Sequence, residues 1–254
     1  MSTSDKAANS PQHAHTVQHN TKLREDVLQR ILQRRGRQHI HDTLDPQRTA
    51  LLVIDMQNAF VEPGRPSAVP VAQHIVPAIN QLAAQLRDGG GIVAWVYTTF
   101  STDTLANWNA FFGCVYDLEF SSRVIDNLSA GSDGHRLWPK LDVKSQDLKV
   151  SKDRFSAFLP GHCDLEDQLR GRGIETLVIT GTLTNVCCES TARDAVMRNF
   201  PIIMVSDANA ALTDEDHNAS LNAIAQTFGD VMTSAEVSSR LCQATAHGAA
   251  GTAS

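Results

Sequence analysis

The chain has 254 residues, 42% of them hydrophobic and 20% charged, with a formal net charge of −6; this is the balance of an ordinary globular protein long enough for a substantial core, without the basic surface that nucleic acid requires. No apolar run approaches the roughly 20 residues that cross a bilayer, and the polar, His-rich N-terminus lacks the apolar segment of a secretory signal. Neither nucleic acid nor membrane is therefore expected as a partner, and the expected location is the cytoplasm. The five cysteines, Cys114, Cys163, Cys187, Cys188 and Cys242, are odd in number and contain no CxxC pair, which argues against a disulfide framework or zinc knuckle and for reduced thiols.

Residues 1–20 are rich in Ser, Ala, Gln and His and predict a disordered arm, or one ordered only by a partner subunit. Residues 21–48 form a helix and connector. Lys22 to Arg35 carries Leu23, Val27, Ile31 and Leu32 at helical spacing and ends near Gly36; its apolar stripe needs a surface of the same domain or of a neighbouring protomer. The main domain is expected over 49–240, followed by a tail over 241–254 whose final residues, Ala244 to Ser254, are mostly small and expected to fray. The domain opens with a strand, Thr49 to Asp55, apolar on consecutive positions and hence buried on both faces of a parallel sheet. A helix over Val69 to Asp88, the break Gly89 to Gly91 and a second buried strand, Ile92 to Thr98, follow. Thr99 to Gln146 reads as a long irregular region containing Trp108, Phe111, Phe112, Phe120 and Trp138, of a length that usually serves function or covers a core. Next come a short strand over Asp147 to Ser151, a helix over Asp164 to Arg170, a strand over Thr176 to Thr180 interrupted by Gly181, and a helix from Cys187 to Asn199. A strand from Pro201 to Ser206, a helix from Asp214 to Phe228 and a possible sixth strand from Val231 to Thr233 complete the pattern. Alternation of this kind predicts an α/β fold: a doubly wound, mostly parallel six-stranded sheet with helices on both faces, binding ligands outside the carboxyl ends of its strands.

Three strands end in reactive residues: Asp55 after the first, Lys152 after the third and Cys187 just past the fourth. Each has an ordinary alternative. An Asp at a strand end caps turns, a Lys before an aromatic run is usually solvated, and a thiol between strand and helix is often an inert buried Cys. Placed together, they form the acid, base and nucleophile of covalent catalysis, since a thiol is only a few per cent ionised at neutral pH without help. The first turn of the helix, with its unpaired N–H groups and partial positive charge, would lower the Cys187 pKa. Cys188 faces about 100° away on that helix and reads as packing; a vicinal disulfide with Cys187 would be strained.

Three segments resemble the isochorismatase-like cysteine hydrolases: LLVIDMQNAF at Leu51 to Phe60, KDRFSAF at Lys152 to Phe158, and GTLTNVCCESTARDA at Gly181 to Ala195. The resemblance covers about Thr49 to Val237. It implies Asp55, Lys152 and Cys187 as catalytic residues, a cis peptide between Thr182 and Leu183, and an oxyanion hole made by the backbone N–H groups of Leu183 and Cys187. Gln57, Asn58 and Phe60 follow Asp55 closely enough to face the cleft, with Phe60 as the family's aromatic wall; Trp108 is a second candidate wall, and Arg154 a candidate cation for a substrate carboxylate. The nicotinamidase branch holds a metal with an Asp-x-His pair and further histidines after the second strand, whereas this chain has YTTFSTDTLANWN at Tyr97 to Asn109. A site without metal or other cofactor is expected. The histidines of the tail and connector, His13, His15, His19, His39 and His41, are expected in solvent.

Vinyl-ether-cleaving members of the family lack the cysteine that this chain has. The resemblance therefore implies an amidohydrolase releasing ammonia from a small amide, and the leader GRQHIHDTLDPQRTALLVIDMQNAF looks like the ureidoacrylate amidohydrolase branch. A ureido or carbamoyl substrate is expected, with N-carbamoylsarcosine, biuret-type ureides and maleamate as other substrates the family allows. The rival is a catalytically idle domain that serves assembly through the Leu23 to Leu32 helix. Family members are usually oligomers, so a homo-oligomer is expected.

Overall fold

The computed structural model of the protein describes residues 18–241. Most of the expected N-terminal arm, the expected frayed tail and Cys242 lie outside them. The runs read as buried strands form one six-stranded sheet: β1 (Thr49–Ile54), β2 (Ile92–Thr98), β3 (Leu148–Lys152), β4 (Thr176–Thr182), β5 (Ile202–Ala210) and β6 (Asp230–Met232), in the order β3-β2-β1-β4-β5-β6. Every neighbouring pair is parallel, as consecutive apolar positions demand when both faces are covered. All six residues of β1 are buried, Ala50, Leu52 and Ile54 on one face, Leu51 and Val53 on the other.

The face with Leu52 is covered by α1 (Glu25–Arg35), α7 (Leu165–Arg170), α8 (Glu189–Met197) and α9 (Asp214–Ala223). The opposite face is covered by α3 (Val76–Asp88) and the helical residues 234–241. Helix α1 lays Val27 and Ile31 on its own domain, against the turn Ile224–Phe228 that follows α9. Burying two such side chains contributes about 1.5–3 kcal/mol each, so the stripe is consumed within the chain rather than left for a partner; Leu32 stays half-exposed.

Sequence and structure part most clearly at three places. Thr99 to Gln146 is not wholly irregular: it folds α4 (Thr104–Asn107), α5 (Asn109–Phe112) and α6 (Leu118–Asn127). With the short α2 (Asn58–Val61), these helices build a third apolar cluster around Phe60, Phe100, Phe112 and Leu128, beyond the carboxyl ends of the strands. The four-residue helices α2, α4 and α5 carry too few turns for a period to show. Gly181 does not interrupt β4; the strand runs through it to Thr182. With φ at 116°, a Cβ there would lie 2.1 Å from the Ile54 carbonyl oxygen, so only glycine lets β4 pass this close to β1. The helix expected from Cys187 begins earlier, as a π-turn over Thr184–Cys188 that continues into α8. Among the described residues no helix is long and apolar enough to cross a membrane.

Candidate active site

Strand register assembles the site. Thr98 of β2 is paired with Lys152 of β3, and Ile54 of β1 with Gly181 of β4. The strand ends carrying Thr98, Asp55, Lys152 and Thr182 therefore meet at one rim, around the topological switch point between β1 and β4. Asp55 takes φ of 52°, left-handed backbone that Asp tolerates better than most residues. Its N–H donates to the Val96 carbonyl at 2.8 Å, and its carbonyl accepts the Thr182 hydroxyl at 3.0 Å. Neighbouring strands thus hold the bend that turns the carboxylate out of the sheet.

The Lys152 ammonium donates to Asp55 Oδ2 at 2.9 Å and to Thr98 Oγ1 at 2.7 Å, while the Thr98 hydroxyl donates to Asp55 Oδ1 at 2.9 Å. Both charged side chains are wholly buried. Burial opposes the charge on Lys152, but the Asp55 carboxylate beside it more than compensates, and its pKa is raised. Cys187, on the turn after β4, is near enough to feel both charges. Burial and then the Asp55 carboxylate push its thiol well up, with Lys152 pulling the other way. The lowered pKa expected from a helix N-terminus is therefore overturned: the thiol sits at the fourth position of the helical turn, beyond the strongest part of the dipole, and desolvation outweighs it. The surroundings thus favour the thiol form of the sulfur, with the Asp55 carboxylate beside it.

The other sequence candidates divide. Phe60, Trp108, Arg154, Leu183 and Cys187 line a cleft of about 470 Å³, within the range of small-molecule sites. Gln57 and Asn58, expected to face it, point elsewhere. The Gln57 amide is fully buried and clasps the backbone of Thr98, accepting from its N–H at 2.8 Å and donating to its carbonyl at 3.0 Å, with a further bond to the His135 carbonyl. Asn58 donates to the Asp133 carbonyl at 3.0 Å. Both pin the rim to the loop before β3. The peptide between Thr182 and Leu183 is cis, as the family resemblance implies. The four described cysteines are free thiols, with Cys188 wholly buried in the core as expected for packing. Among the described residues, no three His, Cys, Asp or Glu side chains gather so that they could hold a metal ion.

Two features escaped the sequence. Thr98, the last residue of β2, bridges Asp55 and Lys152; its position at a strand end was the available signal. His217 on α9 is the other. It is fully buried, hydrogen-bonded through Nδ1 to the Thr184 hydroxyl at 2.8 Å, and stacked on His19 at 4.3 Å. His19, expected in solvent, is itself 4% exposed, paired with Asp214 and accepting the Ala211 N–H. A lone His in a helix carries no pattern that reveals such a role. Since Thr184 opens the turn carrying Cys187, His217 braces that turn from behind. Burial, then His19, lowers its pKa to about 3. An unfolded His titrates near 6.5, so between those values the unfolded chain binds the extra proton, and stability falls with falling pH by about 1.4 kcal/mol per unit. Urea unfolding of wild type and His217→Asn between pH 7 and 4.5 should show the wild type losing stability more steeply below pH 6.5; parallel curves would mean that His217 is not held neutral.

The isochorismatase domain family matches residues 49–236. Ureidoacrylate amidohydrolase RutB of Methylobacterium radiotolerans is 32% identical over 202 residues, 73% of this chain and 76% of that protein. An Arabidopsis thaliana protein named "Probable inactive nicotinamidase" is 34% identical over 179 residues, 68% of this chain and 86% of that protein. Among solved structures, a cysteine hydrolase from Pseudomonas syringae pv. phaseolicola superposes with a TM-score of 0.72 at 32% identity, covering 82% of this chain and 99% of that one. Motifs, strand order and these likenesses agree, and the chain belongs to the isochorismatase family of hydrolases.

Proposed function

We propose that the protein is a cysteine-dependent amidohydrolase that cleaves the C–N bond of a carbamoyl or ureido compound and releases ammonia, without a metal. The observation that carries this is the buried Asp55–Lys152 pair lying against the Cys187 thiol at the floor of a cleft. The kinship to an amidohydrolase acting on a ureide supports the bond cleaved.

In this mechanism Asp55 takes the proton from Cys187 as the sulfur attacks the carbonyl carbon. Lys152 and Thr98 hold the carboxylate in line and offset the charge that develops on sulfur. The backbone N–H groups of Leu183 and Cys187 receive the oxyanion. Protonated Asp55 then gives its proton to the departing nitrogen, ammonia leaves, and a thioester (from an amide) or thiocarbamate (from a ureide) remains on Cys187. Water attacks this acyl group, surrenders its proton to Asp55, and the sulfur recovers it as the acid departs. An oxyanion hole, a base and a nucleophile suffice for this class of reaction, so no step requires a cofactor. A homo-oligomer is part of the same proposal.

Acid-quenching the wild type during turnover of a carbamoyl compound and mapping the peptides by mass spectrometry is the direct test. The acyl adduct is expected on the peptide bearing Cys187. Ammonia release with no adduct there, or with an adduct on another cysteine, would remove the assignment. The idle-assembly alternative predicts neither ammonia nor adduct.

A further inference from the structure

The cleft above Cys187 is built largely of aromatic rings. Of the chain's nine Phe, three Trp and two Tyr, eight line it. One wall is a continuous run of rings: Phe155 against Trp108 at 4.8 Å, Trp108 against Phe111 at 4.8 Å, Phe111 against Tyr116 at 5.0 Å and Tyr116 against Phe120 at 4.9 Å. Facing it are Phe60, Phe100 and Leu128 from the third core cluster. The rings come from separate parts of the chain, α4 to α6 and the loops after β2 and β3, and converge on one hollow next to the nucleophile. Edge-to-face packing stiffens such a wall, so it meets a ligand with its shape already formed.

Among the described residues the cleft's lining contains a single charged side chain, Arg154, and that charge is already engaged. Its Nη1 lies 3.2 Å from the Asp153 carboxylate and 2.9 Å from the Asp153 carbonyl, its Nη2 donates to the Asn107 carbonyl at 3.3 Å, and its guanidinium lies 4.8 Å from the centre of the Trp108 ring. The side chain is 14% exposed. Sequence reading offered Arg154 as the cation for a substrate carboxylate. In the fold it acts as a brace beneath the aromatic wall, neutralised by Asp153. An anionic substrate would exchange water for ring faces, whose quadrupole repels negative charge, with no free cation in return.

We infer that the group attached to the scissile carbamoyl is uncharged and apolar, an aryl or compact alkyl substituent seated on the Trp108–Phe111–Phe155 wall, as in an aryl urea or arylacetamide. This rests on the amidohydrolase proposal for the same site. It separates this chain's substrate from short ureides that end in a carboxylate.

Two measurements on the full chain test it. Wild-type kcat/KM for ammonia release is compared among phenylurea, phenylacetamide, acetamide and N-carbamoylglycine. The Cys187→Ala protein is titrated calorimetrically with phenylurea and with N-carbamoylglycine, so that binding is read without turnover. Burying one ring corresponds to about a 100-fold gain, so phenylurea in both measurements, and phenylacetamide in turnover, should exceed N-carbamoylglycine by about that factor. Trp108→Ala, and the milder Phe111→Leu, should weaken phenylurea binding about tenfold while thermal melts confirm folding. N-Carbamoylglycine bound as tightly as phenylurea, or turned over as fast, would overturn the inference even with the hydrolase proposal intact. Tight phenylurea binding with no ammonia from any of the four compounds would support the cleft's apolar preference and overturn the amidohydrolase proposal instead.

Discussion

Replacing Cys187 with alanine is expected to lower kcat for ammonia release by at least about 10⁴-fold, because a covalent mechanism has no route around its nucleophile. Folding should survive. The side chain lost is small, it sits between the turn and the sheet, and the neighbouring core contacts of Cys188, Ala192 and Ala195 remain; the cost is about 1 kcal/mol. Cys187→Ser is expected to be almost as inactive, since Asp55 has to remove the proton of a buried nucleophile and a hydroxyl yields it far less readily than a thiol. A coupled ammonia assay beside a thermal melt separates the two effects. A folded Cys187→Ala protein within tenfold of wild type would show that the sulfur only packs.

The second large effect concerns stability. Lys152 and Asp55 are both fully buried and satisfy one another at 2.9 Å. Removing one partner strands the other's charge where water cannot reach it, so Lys152→Met should cost about 3–5 kcal/mol and lower Tm by about 10 °C. Activity should vanish with it, since the carboxylate loses its fixed orientation. Asp55→Asn is the informative companion: Asn keeps the left-handed backbone that position requires, so the change acts on charge rather than on the bend. The double variant Asp55→Asn with Lys152→Met removes both charges and should be more stable than Lys152→Met alone, though still inactive. Urea unfolding of the four proteins closes the cycle. Additive losses would mean that the two groups do not depend on one another.

Much of the site was legible because its signals are local. The apolar runs of β1, β2 and β4 specified buried parallel strands, and a reactive residue at each of three strand ends points to one rim whenever such strands alternate with helices. What failed was of another kind. Gln57 and Asn58 are near Asp55 in sequence, but proximity says nothing of direction, and their amides were claimed by backbone groups of Thr98, His135 and Asp133. The pKa of Cys187 went opposite to expectation because desolvation depends on how much protein surrounds the sulfur, a quantity that no helix-start pattern reports. His19 left the solvent because Asp214 and His217, nearly two hundred residues away along the chain, offered it a carboxylate and a ring to stack on.

Residue order alone determined the strands, their burial, the three motif residues and the family, because periodicity, punctuation and short motifs are carried by neighbours in the chain. Only the tertiary structure decided that Thr98 joins Asp55 and Lys152, that burial raises rather than lowers the pKa of the Cys187 thiol, and that Arg154 braces an aromatic wall instead of presenting a free charge. Those outcomes turn on strand register and on the packing of α4 to α6 over the rim, where distances and desolvation are set by residues far apart in sequence.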